Sequence, residues 1–284
     1  MKLIRYGAPG KERPGIVDGG GSIRDLSSIA RDIGPEELAA GLVPRVQALD
    51  VERLPTVSGS PRIAAPLKRT GKFLAIGLNY RDHATESKMA VPSEPVLFMK
   101  AASCLNGPND PIIMPKGAEK LDWEVELGVV IGKRARYIPR ADALGHIAGY
   151  LIVNDVSERA FQLERGGQWD KGKGCDTFGP IGPWLVTTDK VPDPQRLRLW
   201  LAVNGVTKQS ASTADMIFPV AEIVSYLSQF MTLEPGDIIA TGTPPGVGLG
   251  RKPPEFLKVG DVVTLGVEGL GEQRQEIAPF RDSL

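Results

Sequence analysis

The chain has 284 residues, enough for one or two domains with a sizeable core. Its 34 Lys and Arg match 34 Asp and Glu, which excludes the one-sided basic charge that binding to nucleic acid or an anionic membrane calls for. Two cysteines, Cys104 and Cys175, are too few for a disulfide framework and fit a reducing cytosol.

Met1-Lys-Leu-Ile-Arg lacks the apolar stretch of a signal peptide, and no run approaches the ~18 apolar residues of a membrane span, so a cytoplasmic location is expected. Lys2 to Tyr6 reads as a strand, Gly19 to Gly21 as a turn, and Leu26 to Ala40 as polar helical stretches. Pro55 to Gly71, rich in Pro, Ser, Gly and basic residues, reads as a connector. It would divide a small N-terminal α/β domain, residues 1–65, from a larger catalytic domain, residues 66–284. From Lys72 onward short β-rich runs alternate with turns, in keeping with 24 Pro and 33 Gly. Leu197 to Val203 and Val206 to Gln209, joined by Asn204-Gly205, predict a hairpin with a type I′ turn. Val220, Ile223, Val224, Leu227 and Met231 have helical spacing, stopped by Pro235-Gly236, and Ile238 to Thr241 predicts a buried strand. The mix is α+β, mostly β.

Candidate chemistry begins at His83 and Glu86. Three apart, they share one face of a helical turn, and a Glu beside an imidazole raises its basicity and fixes its tautomer. A capping or surface ion pair would give the same spacing. The other histidine, His146, lies in a turn-like stretch before a strand and reads as structural. Tyr80 to Glu94, followed by Pro95, could form a lid over a ligand.

Glu124 and Glu126 stand two apart in an otherwise apolar run, Trp123 to Ile131. In a strand both point to one face, with Val125, Leu127 and Val129 on the other. Gly128 and Val130 continue the Glu face, so it reads as enclosed, and paired buried carboxylates need neutralising. A divalent cation would do this; a solvated strand face is the alternative. Ala148 to Val156 predicts a buried strand ending at Asp155, which could complete an all-oxygen set or cap a following helix. Three carboxylates suit Mg2+, Mn2+ or Ca2+ better than Zn2+. Arg159 and Gln162 follow on a possible shared stripe, Arg159 as a carboxylate clamp or a surface charge. Lys173 sits in Lys-Gly-Lys-Gly, a basic loop whose glycines allow close approach to a ligand. Thr243 lies in a Gly-Pro-rich loop after a strand, where hydroxyl and N–H groups can cradle an anion. No GxGxxG spacing leads into a helix, so no nucleotide site is expected.

Asn79 to Glu86, Asp122 to Gly132, Asn154 to Arg159, Gly172 to Pro180 and Thr241 to Gly248, in that order, resemble the motifs of the fumarylacetoacetate hydrolase family. The resemblance runs from about Gly71 to the C-terminus and is closest to bacterial members that cleave 2,4-diketo acids, such as 2,4-diketo-3-deoxy-L-rhamnonate. It implies the family's rolled mixed β-sheet, a homodimer, and a small-molecule substrate. It also implies a Mg2+ or Mn2+ site at Glu124, Glu126 and Asp155, and water activation by His83 with Glu86. Lys173 would stabilise an enolate, while Arg159, Gln162 and Thr243 would bind substrate. Oxaloacetate decarboxylation and a non-catalytic metal-binding scaffold are the competing readings.

Overall fold

The computed structural model describes residues 1–86 and 90–282. Strands buried on both faces carry continuous apolar runs instead of alternating ones. Val125–Ile131 and Ile147–Asn154 are of this kind: every residue is buried, and the two pair antiparallel inside an eleven-stranded mixed sheet. On one side follow Gly179–Thr187, Lys2–Tyr6, Arg13–Val17 and Ile23–Asp25; on the other, Ile238–Ala240, Phe73–Gly77 and Val96–Lys100. The first strands of the chain thus extend the same sheet that carries the candidate residues. A five-stranded sheet contains the predicted hairpin, Arg198–Val203 with Val206–Ser212, and shares one continuous core with the larger sheet. Asn204 and Gly205 have φ of 49° and 78°, the paired positive values that a type I′ turn requires. The fold is therefore mixed and sheet-rich with few helices, as expected.

Three local expectations need correcting. Leu26 to Ala40 is helical only at Pro35–Ala39, because Asp32 turns to ion-pair with Arg5 at 2.6 Å and Pro35 sets a new helix start. A second helix, Leu42–Gln47, follows a break at Gly41, whose φ is 76°. Pro55 to Gly71 is no mere connector, since Ile63–Ala64 pairs with Lys2–Tyr6. The helix Val220–Leu227 buries Val220, Ile223, Val224 and Leu227 but ends before Met231; the Ser228 hydroxyl donates to the Ser225 carbonyl and accepts from the Ile138 N–H, holding the chain in a turn. Among the described residues, no helix is long and apolar enough to cross a membrane.

Candidate active site

Strand ends assemble the carboxylates. Glu124 directly precedes Val125–Ile131, Glu126 is that strand's second residue, and Asp155 directly follows Ile147–Asn154. The antiparallel pairing continues one step further, with the Asp155 N–H donating to the Glu124 carbonyl at 2.9 Å. One oxygen from each of Glu124, Glu126 and Asp155 lies within 4.8 Å of the others, and all three residues are buried. The solvated strand face is thereby excluded. Asp155 caps no helix either: Arg159–Leu163 is capped by Glu158, whose carboxylate accepts from the Phe161 N–H. Asp155 therefore stands apart from that helix, not on a common stripe with Arg159 and Gln162.

The cations are buried with the acids. Lys173 ends the short helix Asp170–Lys173, where the sequence reading placed a loop, and its Nζ donates to Glu124 Oε2 and Asp155 Oδ2 at 2.7 Å each. Arg159 is no surface charge. Its Nε reaches Asp122 Oδ2 at 2.8 Å, Nη2 reaches Glu124 Oε1 at 2.6 Å, and Nη1 reaches Gln162 Oε1 at 3.0 Å. Lys100, at the end of its strand, donates to Asp155 Oδ1 at 2.7 Å and to the carbonyls of Val156 and Lys173.

Three cations thus meet four carboxylates, counting Asp122, and the excess is one negative charge. Among the described residues it falls on Glu126, whose Oε2 accepts only the Gly242 N–H, at 2.7 Å. Burial, then Asp155 and Glu124, raise the Glu126 carboxyl well above its ordinary value. Burial also works to raise Glu124, but Lys173 and Arg159 outweigh it and hold that carboxyl well below the usual range. A buried, oxygen-only set with uncompensated negative charge fits a hard divalent cation.

His83 and Glu86 lie on the helix Arg81–Glu86, with His83 Nδ1 3.6 Å from Glu86 Oε2, an ion-pair distance longer than a hydrogen bond. Glu86 Oε2 is held by the Gly246 N–H at 2.9 Å. Burial raises the Glu86 carboxyl, but His83 and that N–H prevail and lower it. His83 lines a cavity of about 130 Å³ together with Glu124, Glu126, Arg159, Gln162, Lys173 and Thr243. His146 is elsewhere, its Nδ1 3.0 Å from the Arg134 carbonyl. The Thr243 hydroxyl is occupied within the protein: it donates to the Val125 carbonyl at 3.0 Å and accepts from Gln209 Nε2 at 2.8 Å. The expected lid, Tyr80 to Glu94, includes residues 87–89, which lie outside the described residues.

Lys100 and Asp122 escaped the sequence reading. Asp122 is fully buried and accepts from Arg159, Trp123 N–H, Gly248 N–H and Leu249 N–H, tying the arginine to the loop that holds Glu86. A charged residue closing an apolar strand, Val96-Leu-Phe-Met-Lys100, was the available signal for the lysine.

Known proteins share this arrangement of chain. Residues 72–278 match the family described as fumarylacetoacetate (FAA) hydrolase C-terminal. A Burkholderia cenocepacia protein named only as a hydrolase is 60% identical over 276 residues, 97% of this chain and 98% of that one. The fumarylacetoacetate hydrolase structure from Exiguobacterium antarcticum superposes with a TM-score of 0.89 at 36% identity, covering 99% of this chain and 100% of that one. Maleylpyruvate hydrolase from Sphingobium sp. SYK-6, solved with manganese(II) and pyruvate, gives a TM-score of 0.82 at 29% identity, with 99% and 100% coverage. On a family match spanning most of its length, the chain belongs to the fumarylacetoacetate hydrolase family of enzymes.

Proposed function

We propose that the protein is a divalent-cation-dependent hydrolase that cleaves the C–C bond of a 2,4-diketo acid to pyruvate and a carboxylic acid. The carrying observation is one cavity lined by Glu124, Glu126, the buried Lys173 and His83, with Asp155 clustered on the two glutamates and Glu86 backing the histidine. The balanced reaction is R–CO–CH2–CO–COO⁻ + H2O → R–COO⁻ + CH3–CO–COO⁻ + H⁺.

Glu124, Glu126 and Asp155 would hold Mg2+ or Mn2+, which when bound supplies Lewis-acid polarisation of the substrate's carboxylate and 2-keto oxygens. His83 takes a proton from water at Nε2, its Nδ1 facing Glu86, and that water attacks the carbonyl distal to the carboxylate. The C–C bond then breaks with its electrons leaving as the pyruvate enolate. Lys173 spends two N–H donors on Glu124 and Asp155, so a third remains for the enolate oxygen. Protonation at the methylene carbon completes pyruvate. Arg159 and Gln162, already bonded to each other, present a polar edge to the substrate carboxylate.

A lactate-dehydrogenase-coupled screen for pyruvate tests this, using 2,4-diketo acids and oxaloacetate with Mg2+, Mn2+ or EDTA. Pyruvate with one equivalent of carboxylic acid, lost in EDTA, is expected. Stoichiometric CO2 from oxaloacetate alone would make the protein a decarboxylase, and no product from any compound would leave a metal-binding scaffold. The reading includes a symmetric homodimer, the commonest soluble assembly; light scattering at the mass of one chain would remove it.

A further inference from the structure

The cavity lining is mixed where it is buried and apolar where it is exposed. Its polar members, His83, Glu124, Glu126, Arg159, Gln162, Lys173 and Thr243, are all at most 7% exposed and form an ionic floor together with the buried apolar Ile76 and Val247. The lining residues nearer solvent are apolar: Phe98, Trp169 and Leu249 are half-buried and Leu163 is 47% exposed. This wall is built. Trp169 meets Phe98 edge to face, centroids 5.4 Å apart, and its ring lies so close to Gly77 that a Cβ there would sit 2.7 Å from it. Phe98 in turn faces Lys173 Nζ, 5.1 Å from the ring centroid, which sets the junction between ionic floor and apolar wall.

The charges of the floor are committed. Arg159 serves Asp122, Glu124 and Gln162, and Lys173 serves Glu124 and Asp155. The basic residues just beyond Leu163 turn elsewhere: Arg165 stacks on Phe161, and Lys171 donates to the Arg165 carbonyl at 2.6 Å. Among the described residues, then, the outer wall presents no cation for a second carboxylate. Nor does it present polar side chains for a run of hydroxyls, which would lose water without gaining partners there.

We infer that the substrate carries an uncharged, apolar acyl group: R is alkyl or aryl, in place of a hydroxylated or carboxylated chain. This rests on the hydrolase reading above. The diketo-acid head fits the ionic floor, and R lies along Phe98, Trp169, Leu163 and Leu249. Removing a methylene from water is worth about a four-fold gain in kcat/KM, so the gain should compound along the chain until the wall ends.

The test is kcat/KM for the Mg2+-loaded enzyme on straight-chain acylpyruvates of increasing length and benzoylpyruvate. Maleylpyruvate and a 2,4-diketo-3-deoxy sugar acid provide the comparison. A rise of about four-fold per methylene over the first few carbons, with the sugar acid and maleylpyruvate at least ten-fold below the best alkyl compound, is expected. Leu163→Arg should narrow the gap to maleylpyruvate by supplying the missing cation. Faster turnover of maleylpyruvate or the sugar acid than of any alkyl or aryl compound would overturn the inference while leaving the hydrolase reading intact. No pyruvate from any compound would instead overturn the hydrolase reading, and the inference with it.

Discussion

Lys100 Nζ lies 2.7 Å from Asp155 Oδ1, and neither side chain has exposed surface. The lysine also binds the carbonyls of Val156 and Lys173, so all three of its donors are used. It therefore joins the strand end that carries Asp155 to the helix that carries Lys173. Each Asp155 oxygen thus accepts from a lysine, Oδ1 from Lys100 and Oδ2 from Lys173, which fixes the carboxylate beside Glu124 and Glu126.

Lys100→Met should consequently harm both the fold and the site. Removing one partner of a buried ion pair costs about 3–5 kcal/mol, and losing a group that orients a metal ligand typically weakens the metal about 10–100-fold. Adding Asp155→Asn should recover part of the stability and none of the cation binding. Thermal unfolding and calorimetric Mn2+ titration measure the two effects; wild-type Mn2+ affinity in Lys100→Met would refute the orienting role.

The three carboxylates should respond to neutralisation with different signs. Asp155→Asn strands Lys100 and takes one of two carboxylates from Lys173, so it should destabilise the chelated protein by about 3–5 kcal/mol; Glu124→Gln leaves Arg159 its Asp122 and Lys173 its Asp155, so it should destabilise by less. Glu126 has no cation among the described residues and is crowded by Asp155 and Glu124. Glu126→Gln relieves that crowding and should raise the melting temperature of chelated protein by about 2–4 °C for each kcal/mol relieved. All three should lose cation binding and activity. Differential scanning calorimetry in EDTA decides; a lowered melting temperature for Glu126→Gln would contradict the charge assignment.

The same residue gives the pH dependence. Glu126 has a folded-state pKa raised from the ordinary 4.5, so its contribution to stability is full below that value and is lost as pH rises through the raised one. A cation replaces the missing proton, and its binding must displace that proton at lower pH. Stabilisation by saturating Mg2+ or Mn2+ should therefore grow with pH above about 4.5. Melting temperatures with and without metal at several pH values test this, and a shift that shrinks with rising pH would rule it out.

Legibility in the sequence followed how local each signal was. Alternation around Glu124 and Glu126, the Asn204-Gly205 turn and the Val220–Leu227 stripe are short-range patterns, and each appears in the structure. Asp155 needed the chain order of a strand end. Lys100 and Asp122 act through partners 55 and 37 residues away, on elements whose adjacency only sheet pairing creates. The tie of the Thr243 hydroxyl within the protein was not legible, because Gln209, its partner, lies on a hairpin with no local tie to that loop. A surface charge stayed open for Arg159 beside the carboxylate clamp for the same reason: its acids come from another segment.

The base and the lysine should separate two chemistries within one cavity. Hydrolysis needs an attacking water and so a base; loss of CO2 from oxaloacetate needs only stabilisation of the enolate that forms. His83→Ala should lower acylpyruvate hydrolysis by about 10²–10⁴-fold, the range for general-base loss, and Glu86→Gln by a smaller factor because the imidazole remains. Any oxaloacetate decarboxylation should fall far less in both. Lys173→Ala should depress the two activities together, since each passes through an enolate, and it also takes one of two cations from each of Glu124 and Asp155. Parallel rate measurements at saturating Mg2+, with circular dichroism to confirm folding, settle the roles. Equal losses of both activities in His83→Ala would show that His83 holds substrate and does not activate water.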